Sequence, residues 1–299
     1  MPTPGDARPT THWFDTALFA RACQQRGVTW GRPLRILDSV PSTNDLGLGA
    51  VTGTDKTGIV WLAREQTAGR GRRGNVWHAA PGENLTFSVL LRIPGPRTLA
   101  MGFSLLAGLA VRAVVAARLQ TQSVLPDRTT RVPGGLIEPE EGTVGLRATV
   151  KWPNDVFIGP KKCSGILVES KVDSTGQLGV VVGVGLNVLT RNFPDHLPNA
   201  TSLLLQGVLS SGLGLESLLV DLLAELEQRT RVYLVKGLRP LVDELMQHDF
   251  LAGRAVRVAD QHGVASGFDD CGQLRLVHSD YSVTVVTAGH VELDELAHP

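Results

Sequence analysis

The sequence predicts an α+β protein in which a large domain of mixed strands and helices is followed by a small β-barrel. Two observations carry this reading. Up to about residue 250, apolar strand-like runs alternate with helical segments, the clearest being Leu215 to Val235, where apolar residues recur at helical spacing. From Gly253 the texture changes to short alternating strands divided by turn residues. A chain of 299 residues is long enough for one large domain plus a smaller one around a substantial core.

Taken in order, residues 1 to about 12 are rich in Pro and Thr and read as disordered. His12 to Arg26 reads as a short helix. A strand from Leu34 to Asp38 leads into Ser42-Thr43-Asn44, where Asn44 is placed to cap a short helix. Gly58 to Ala63 and Asn84 to Ile93 read as strands, the second rich in β-formers. Thr98 to about Gln120 reads as a core helix. Its apolar stretch, Leu99 to Val111, ends at Arg112 and falls short of the roughly 20 residues a bilayer span needs. Thr121 to Arg147 breaks the composition with prolines, glycines and the acidic run Glu138 to Glu141, and reads as a mobile insertion. Strands follow around Ala148 to Trp152, Gly165 to Lys171 and Leu178 to Val188, then the helix Leu215 to Val235 and another from Leu238 to Asp249. Five short strands, from Arg254 to Leu293, complete the chain. The boundaries expected are 1–33 for an N-terminal extension, 34–250 for the main domain with its 121–147 insertion, and 251–299 for the tail.

Lys plus Arg and Asp plus Glu are each 29, so the formal net charge is zero. That balance argues against general coating of nucleic acid, while a local basic loop still suits a small anion. Cys23, Cys163 and Cys271 are odd in number, far apart and form no C-x-x-C pair. They point to reduced thiols in a cytoplasmic protein. No signal-peptide h-region follows Met1, and no membrane association is expected.

Two segments carry chemistry. Gly69-Arg70-Gly71-Arg72-Arg73-Gly74 combines glycines that let the backbone approach a ligand with three guanidinium groups suited to phosphate or carboxylate. It is neither a Walker A loop nor a G-x-G-x-x-G opening a helix. A surface turn, a nucleic-acid patch and a processing site are the rival readings. A lid that orders over an anionic ligand fits glycines and arginines together. Lys151-Trp152-Pro153-Asn154-Asp155 reads either as a plain strand end and turn or as part of an acid-activating site. The second reading gains from Lys161-Lys162, which a hairpin from Val156 to Ile166 would return to the side of Asp155. Two lysines and an aspartate on one face suit activation of a carboxylic acid by ATP, with Asp155 placed for Mg²⁺. Gly183-Val184-Gly185-Leu186-Asn187 reads as close packing of a strand, with the polar Asn187 at its end. The eight histidines show no zinc-ligand spacing, and no G-x-S-x-G elbow is present. Cys163, in an apolar run, reads as packing rather than as a nucleophile.

In this order the segments resemble biotin–protein ligases (biotin–acetyl-CoA-carboxylase ligases) of the monofunctional type. The matching marks are Ser42-Thr43-Asn44, Glu65 through Gly74, Trp77, Lys151 to Asp155, Lys162 to Glu169, and Gly183 to Asn187, and the similarity covers roughly residues 34 to 295. The resemblance implies a class II synthetase-like catalytic domain, a mixed sheet flanked by helices, followed by an SH3-like barrel. It also implies a two-step reaction. The carboxylate of biotin attacks the α-phosphate of ATP to give biotinyl-5′-AMP, and a lysine of a biotin carboxyl carrier domain then takes the biotinyl group.

Carried over by motif position, Ser42, Thr43, Asn44, Gln66, Gly69, Arg70, Gly71, Arg72 and Lys162 resemble the biotin-binding groups, with Lys162 and Arg72 at the reacting atoms. Arg72, Trp77, Lys151, Asn154 and Asn187 resemble the ATP side, and Asp155 the Mg²⁺ ligand. Asn75 and His290 depart from the family pattern, where a basic and an acidic residue are common, and the 121–147 insertion is long for the family. About 33 residues precede the first core strand, roughly half of what a winged helix-turn-helix takes, so a repressor role is not expected. Lipoate ligases and octanoyl transferases of the same fold family are the nearest rivals, and a DNA-binding regulator is the rival of a different class. A monomer or a homodimer is expected.

Overall fold

The computed structural model describes residues 13–94, 98–120, 146–208 and 213–294. The expected disorder of residues 1 to 12 and nearly all of the 121–147 insertion lie outside them. Helix α1, Thr16–Arg26, starts where the Asp15 carboxylate accepts from the amides of Ala17 and Leu18, and it stops at Gly27 with φ 65°. The expected start at His12 was too early because Asp15 supplies the cap.

The remaining elements of the main domain are β1 (Leu34–Val40), α2 (Thr43–Ala50), β2 (Val60–Gln66), a 3₁₀ turn at Arg72–Gly74, β3 (Leu85–Ile93), α3 (Leu99–Gln120), β4 (Ala148–Lys151), β5 (Asp155–Ile158), β6 (Lys161–Val172), β7 (Leu178–Leu186), α4 (Leu215–Lys236) and α5 (Arg239–Gln247). Asn44 lies inside α2, so it is not the cap; Ser42 occupies that position and makes no side-chain capping bond. The freed Asn44 amide serves the site described below.

The strands form one seven-stranded sheet in the order β1-β2-β3-β7-β6-β5-β4. Only β1 and β2 run parallel; every other neighbour pair is antiparallel. The sheet is therefore mixed. β3 and β7 lie at its centre, and all nine residues of β7 are buried, as expected of a run of valines covered on both faces. On one face α3 and α4 pack into the main core. On the other, α2 covers a smaller cluster of Val51, Ile59, Trp61, Leu90 and Val181. Helix α3 is long and apolar enough to cross a membrane by length and composition, but two-thirds of that stretch, 67%, is buried against the protein's own sheet and helices.

The tail strands β8 (Ala255–Val258), β9 (Gln261–Phe268), β10 (Leu274–Val277), β11 (Val283–Val286) and β12 (Val291–Leu293) form an antiparallel sheet in the order β11-β10-β9-β8-β12. This fits an SH3-like unit, although the described strands make an open sheet rather than a closed barrel. The main core continues into it. The Trp152 indole N–H donates to the Gly272 carbonyl at 3.0 Å, and the Phe157 and Phe250 rings meet at 4.4 Å. The first of these contacts brings the tail against the turn that carries Asn154 and Asp155.

Candidate active site

The arginine loop leaves the end of β2 and folds back on itself. Gly71 N–H donates to Asn75 O at 2.7 Å and Trp77 N–H to Gly69 O at 2.9 Å. Arg73 and Gly74 take left-handed φ values of 56° and 79°. A Cβ at Gly69 would lie 2.6 Å from the Trp77 carbonyl, so only glycine admits this return. The loop delivers the Trp77 indole onto a floor made by Gly165 of β6 and Gly185 of β7, which are register partners. A Cβ at Gly185 would overlap the indole.

Trp77 separates two cavities. One, of about 40 Å³, is lined by Ser42, Thr43, Asn44, Gln66, Arg70 and Gly71, with Thr86, Phe87 and the floor glycines beneath. The other, of about 140 Å³, is lined by Arg72, Arg73, Lys151, Asn154, Asp155, Lys162 and, from the tail, His290. Gly71, Trp77 and Asn154 border both. Arg70, the one charged lining residue of the first, is ion-paired with Asp45 and Glu169, so the first carries no excess charge, whereas the second is cationic.

Under the first cavity lies a buried hydrogen-bond cluster. Thr43 N–H donates to Gln66 Oε1 at 2.7 Å. Ser88 Oγ lies 2.7 Å from Thr43 Oγ1 and 2.6 Å from Asn44 Oδ1. The Asn44 amide donates to Glu169 Oε2 at 2.8 Å and to Leu167 O at 3.2 Å. Arg70 closes the rim by bonding Asp45 at 2.5 Å and Glu169 at 3.0 Å. The Asp45 hydrogen bond is the main cause that holds the Arg70 guanidinium above its ordinary pKa.

In the second cavity Lys162 Nζ lies 2.7 Å from Asp155 Oδ1. The predicted hairpin is formed by β5 and β6, and it brings the two together. Lys151 pairs in register with Asp155. Burial lowers its pKa, Asp155 opposes that, and the like charge of Lys162 adds to it. Its Nζ sits 5.7 Å from the Phe157 ring. Arg72 is likewise held below its ordinary value by burial, with the neighbouring Arg73 charge adding to this. Partly desolvated cations of this kind gain from an incoming polyanion.

Of the residues singled out in the sequence, the structure gathers Ser42, Thr43, Asn44, Gln66, Arg70, Gly71 and Trp77 at the first cavity. It gathers Arg72, Lys151, Asn154, Asp155 and Lys162 at the second. Gly69 supports the loop from behind. Asn187 is not brought to either cavity; it is 4% exposed and donates its side-chain amide to Thr201 O at 3.0 Å. Cys163 is fully buried, and burial pushes its thiol up to about 12, as suits packing. Ser88, Asp45 and Glu169 were missed. The signal available for Ser88 was its alternation with Thr86 inside an apolar strand, which sets two hydroxyls on one face.

The model of the biotin/lipoate A/B protein ligase family matches residues 36–187. A biotin–[acetyl-CoA-carboxylase] ligase of Mycobacterium tuberculosis is 36% identical over 274 residues, covering 89% of this chain and 90% of that protein. The enzyme of the same designation from Paracoccus denitrificans is 32% identical over 251 residues, covering 81% of this chain and 92% of its own. A structure of the Aquifex aeolicus biotin protein ligase in complex with biotin and ATP superposes with a TM-score of 0.65 at 21% identity, over 87% of this chain and 98% of that one. That likeness concerns the fold.

Proposed function

The chain belongs to the biotin/lipoate A/B protein ligase family, and from that premise we propose that it is an ATP-dependent biotin–[biotin carboxyl carrier protein] ligase. The observation that carries this reading is the pair of adjoining cavities on either side of Trp77, one without excess charge and one cationic, with Lys162 of the second reaching toward the floor of the first. A Cβ on Gly165, which floors the first cavity, would be only 3.4 Å from Lys162 Nζ in the second. A bicyclic acid in the first cavity would direct its carboxylate toward Lys162, and a nucleotide in the second would set its phosphates among Lys151, Arg72 and Lys162. Trp77, between them, offers a ring face to either ligand.

In the first step a carboxylate oxygen of biotin forms a bond to the α-phosphorus of ATP, and pyrophosphate leaves with the electron pair of the broken P–O bond. Lys162 and Arg72 hold the charge that gathers on the phosphoryl oxygens. In the second step the uncharged ε-amine of a carrier lysine attacks the acyl carbon of biotinyl-5′-AMP, and AMP leaves. Neither step needs a covalent bond to the enzyme; positioning and exclusion of water suffice. The glycine–arginine loop would order over the adenylate and keep water from it.

Magnesium would arrive with the nucleotide. Among the described residues no three metal-ligating side chains cluster, and Asp155 is the one carboxylate in the cationic cavity. A single carboxylate fits an ion that keeps most of its waters and is held chiefly by phosphates. Residues 34–250 would form the catalytic unit and 251–299 the tail that closes its nucleotide side. Cys23, Cys163 and Cys271 are free thiols, in keeping with action in the cytoplasm. Incubation of a purified carrier domain with the protein, biotin and MgATP should add one biotinyl group to one lysine, read by mass. No shift with biotin, together with a shift with lipoate or octanoate, would reassign the substrate within the family.

A further inference from the structure

Glu169 has no part in the reaction just described, yet it holds both the floor of the first cavity and its lid. One carboxylate bonds the Asn44 side-chain amide and the Arg70 guanidinium. Building on the biotin reading, we infer that Glu169 is a positioning residue that sets the donor and acceptor directions of the cluster beneath the biotin ring and couples them to the arginine loop.

The argument follows the hydrogens. The carboxylate of Glu169 and the carbonyl of Leu167 only accept, so the edge of Asn44 that faces them, at 2.8 and 3.2 Å, must be its NH₂. Its oxygen is therefore turned to Ser88, in the space that glycine leaves at position 183. Ser88 is fully buried and has a single hydroxyl hydrogen. Asn44 Oδ1, at 2.6 Å, cannot donate, so that hydrogen goes to it. The Thr43 hydroxyl has two acceptors within reach, Ser88 Oγ at 2.7 Å and Gln66 Oε1 at 3.0 Å. Ser88 has no hydrogen left to offer Thr43, so the shorter contact takes the Thr43 hydrogen. A lone pair of Thr43 Oγ1, with the Gln66 carbonyl that already accepts the Thr43 N–H, is then left facing the cavity as an acceptor. A cyclic urea such as the biotin ring carries two N–H donors that need acceptors of this kind. A cluster free to reverse would present a donor to a donor and leave one of them unpaired.

The experiment measures biotin and ATP binding separately by calorimetry in the parent, Glu169→Gln and Glu169→Asp, with thermal unfolding and pyrophosphate release alongside. Glu169→Gln preserves shape but loses the charge that grips Arg70 and lets Asn44 turn over. The expected result is biotin affinity weakened about tenfold or more, a raised KM for biotin in pyrophosphate release, and ATP affinity and melting temperature near parental. Glu169→Asp, still an acceptor and still charged, should recover part of the loss. Biotin affinity in Glu169→Gln within about twofold of the parent would overturn the assignment. So would equal losses for biotin and ATP with a lowered melting temperature, which would mark a residue that merely stabilises the sheet. A parent protein that binds no biotin would bring down the biotin reading and this inference together, an outcome distinct from the other two.

Discussion

Replacing Lys162 by alanine should abolish adenylate formation while leaving the fold intact. The side chain reaches out of β6 to place its ammonium 2.7 Å from Asp155, and it is 35% exposed, so no core packing depends on it. Its neighbours cannot take its place. Lys151 is held by the β4 backbone over the Phe157 ring, and Arg72 hangs from the loop. As charge moves from the carboxylate to the phosphoryl oxygens, a pre-placed cation at this point is worth about 3 kcal/mol, or more than a hundredfold in rate. Loss of the cation also leaves Asp155 uncompensated beside the incoming phosphates, which adds to the penalty. Pyrophosphate release from MgATP and biotin gives the rate, and biotin binding without ATP checks the integrity of the first cavity. Lys162→Arg keeps the charge but spreads it over a planar fork that Asp155 would draw aside, so it should recover only part of the rate. A Lys162→Ala protein releasing pyrophosphate within tenfold of the parent would refute the placement of Lys162 at the reacting atoms.

Asp155→Asn should raise the Mg²⁺ concentration needed for half-maximal adenylation and leave biotin affinity unchanged; an unaltered Mg²⁺ titration would reduce Asp155 to a partner of Lys162. Gly185→Ala puts a methyl where the Trp77 indole lies, so it should expel the ring and cost at least tenfold in both biotin and ATP affinity, read by titration, with the sheet still folded. Burial raises the Asp249 carboxyl from the ordinary 3.8 to about 6. Between those values the folded state keeps a proton that the unfolded state has lost, so stability falls as pH rises from about 4 to 6, by at most roughly 3 kcal/mol. Asp249→Asn, which keeps an acceptor for the Leu251 amide, should flatten that slope in denaturant titrations and stabilise the protein at pH 7. Trypsin should cut after Arg70, Arg72 or Arg73 in the empty protein and more slowly with biotin and ATP. Arg72→Gly should let the adenylate escape and label bystander lysines, whereas equal cleavage rates or full retention of the adenylate would defeat the lid.

The fold was legible where the signal is local. The valine run of β7, the helical spacing of α4 and the turn-punctuated tail each announce an element within one window of sequence. What misled was competition at the ends. The sequence reading starts α1 at His12, but the Asp15 carboxylate accepts two amides and sets the start at Thr16. Asn44 looked like a cap because asparagine usually is one; here Ser42 takes that position without a capping bond, and the Asn44 amide is drawn to Leu167 and Glu169 across the sheet. Open ends of the tail sheet are a matter of pairing between residues far apart in the chain, and alternation alone does not record it.

The site shows the same division. Lys151, Asp155 and Lys162 were legible because a short hairpin is a local device, and its register returns the second lysine to the aspartate. The glycines at 183 and 185 were visible only as a close approach; which side chains approach is decided by contacts more than 100 residues long. Asn44 lies over one and Trp77 over the other, so the two glycines make the room for both halves of the site. Asn187 is the converse case. The family resemblance implied a place on the ATP side, yet at the strand end its amide turns to Thr201 and ties down the next loop. Alternation alone would set Asn187 on the same face as Gly183 and Gly185, but β7 ends at Leu186, and past that end the side chain follows the loop of Thr201 rather than the pleat.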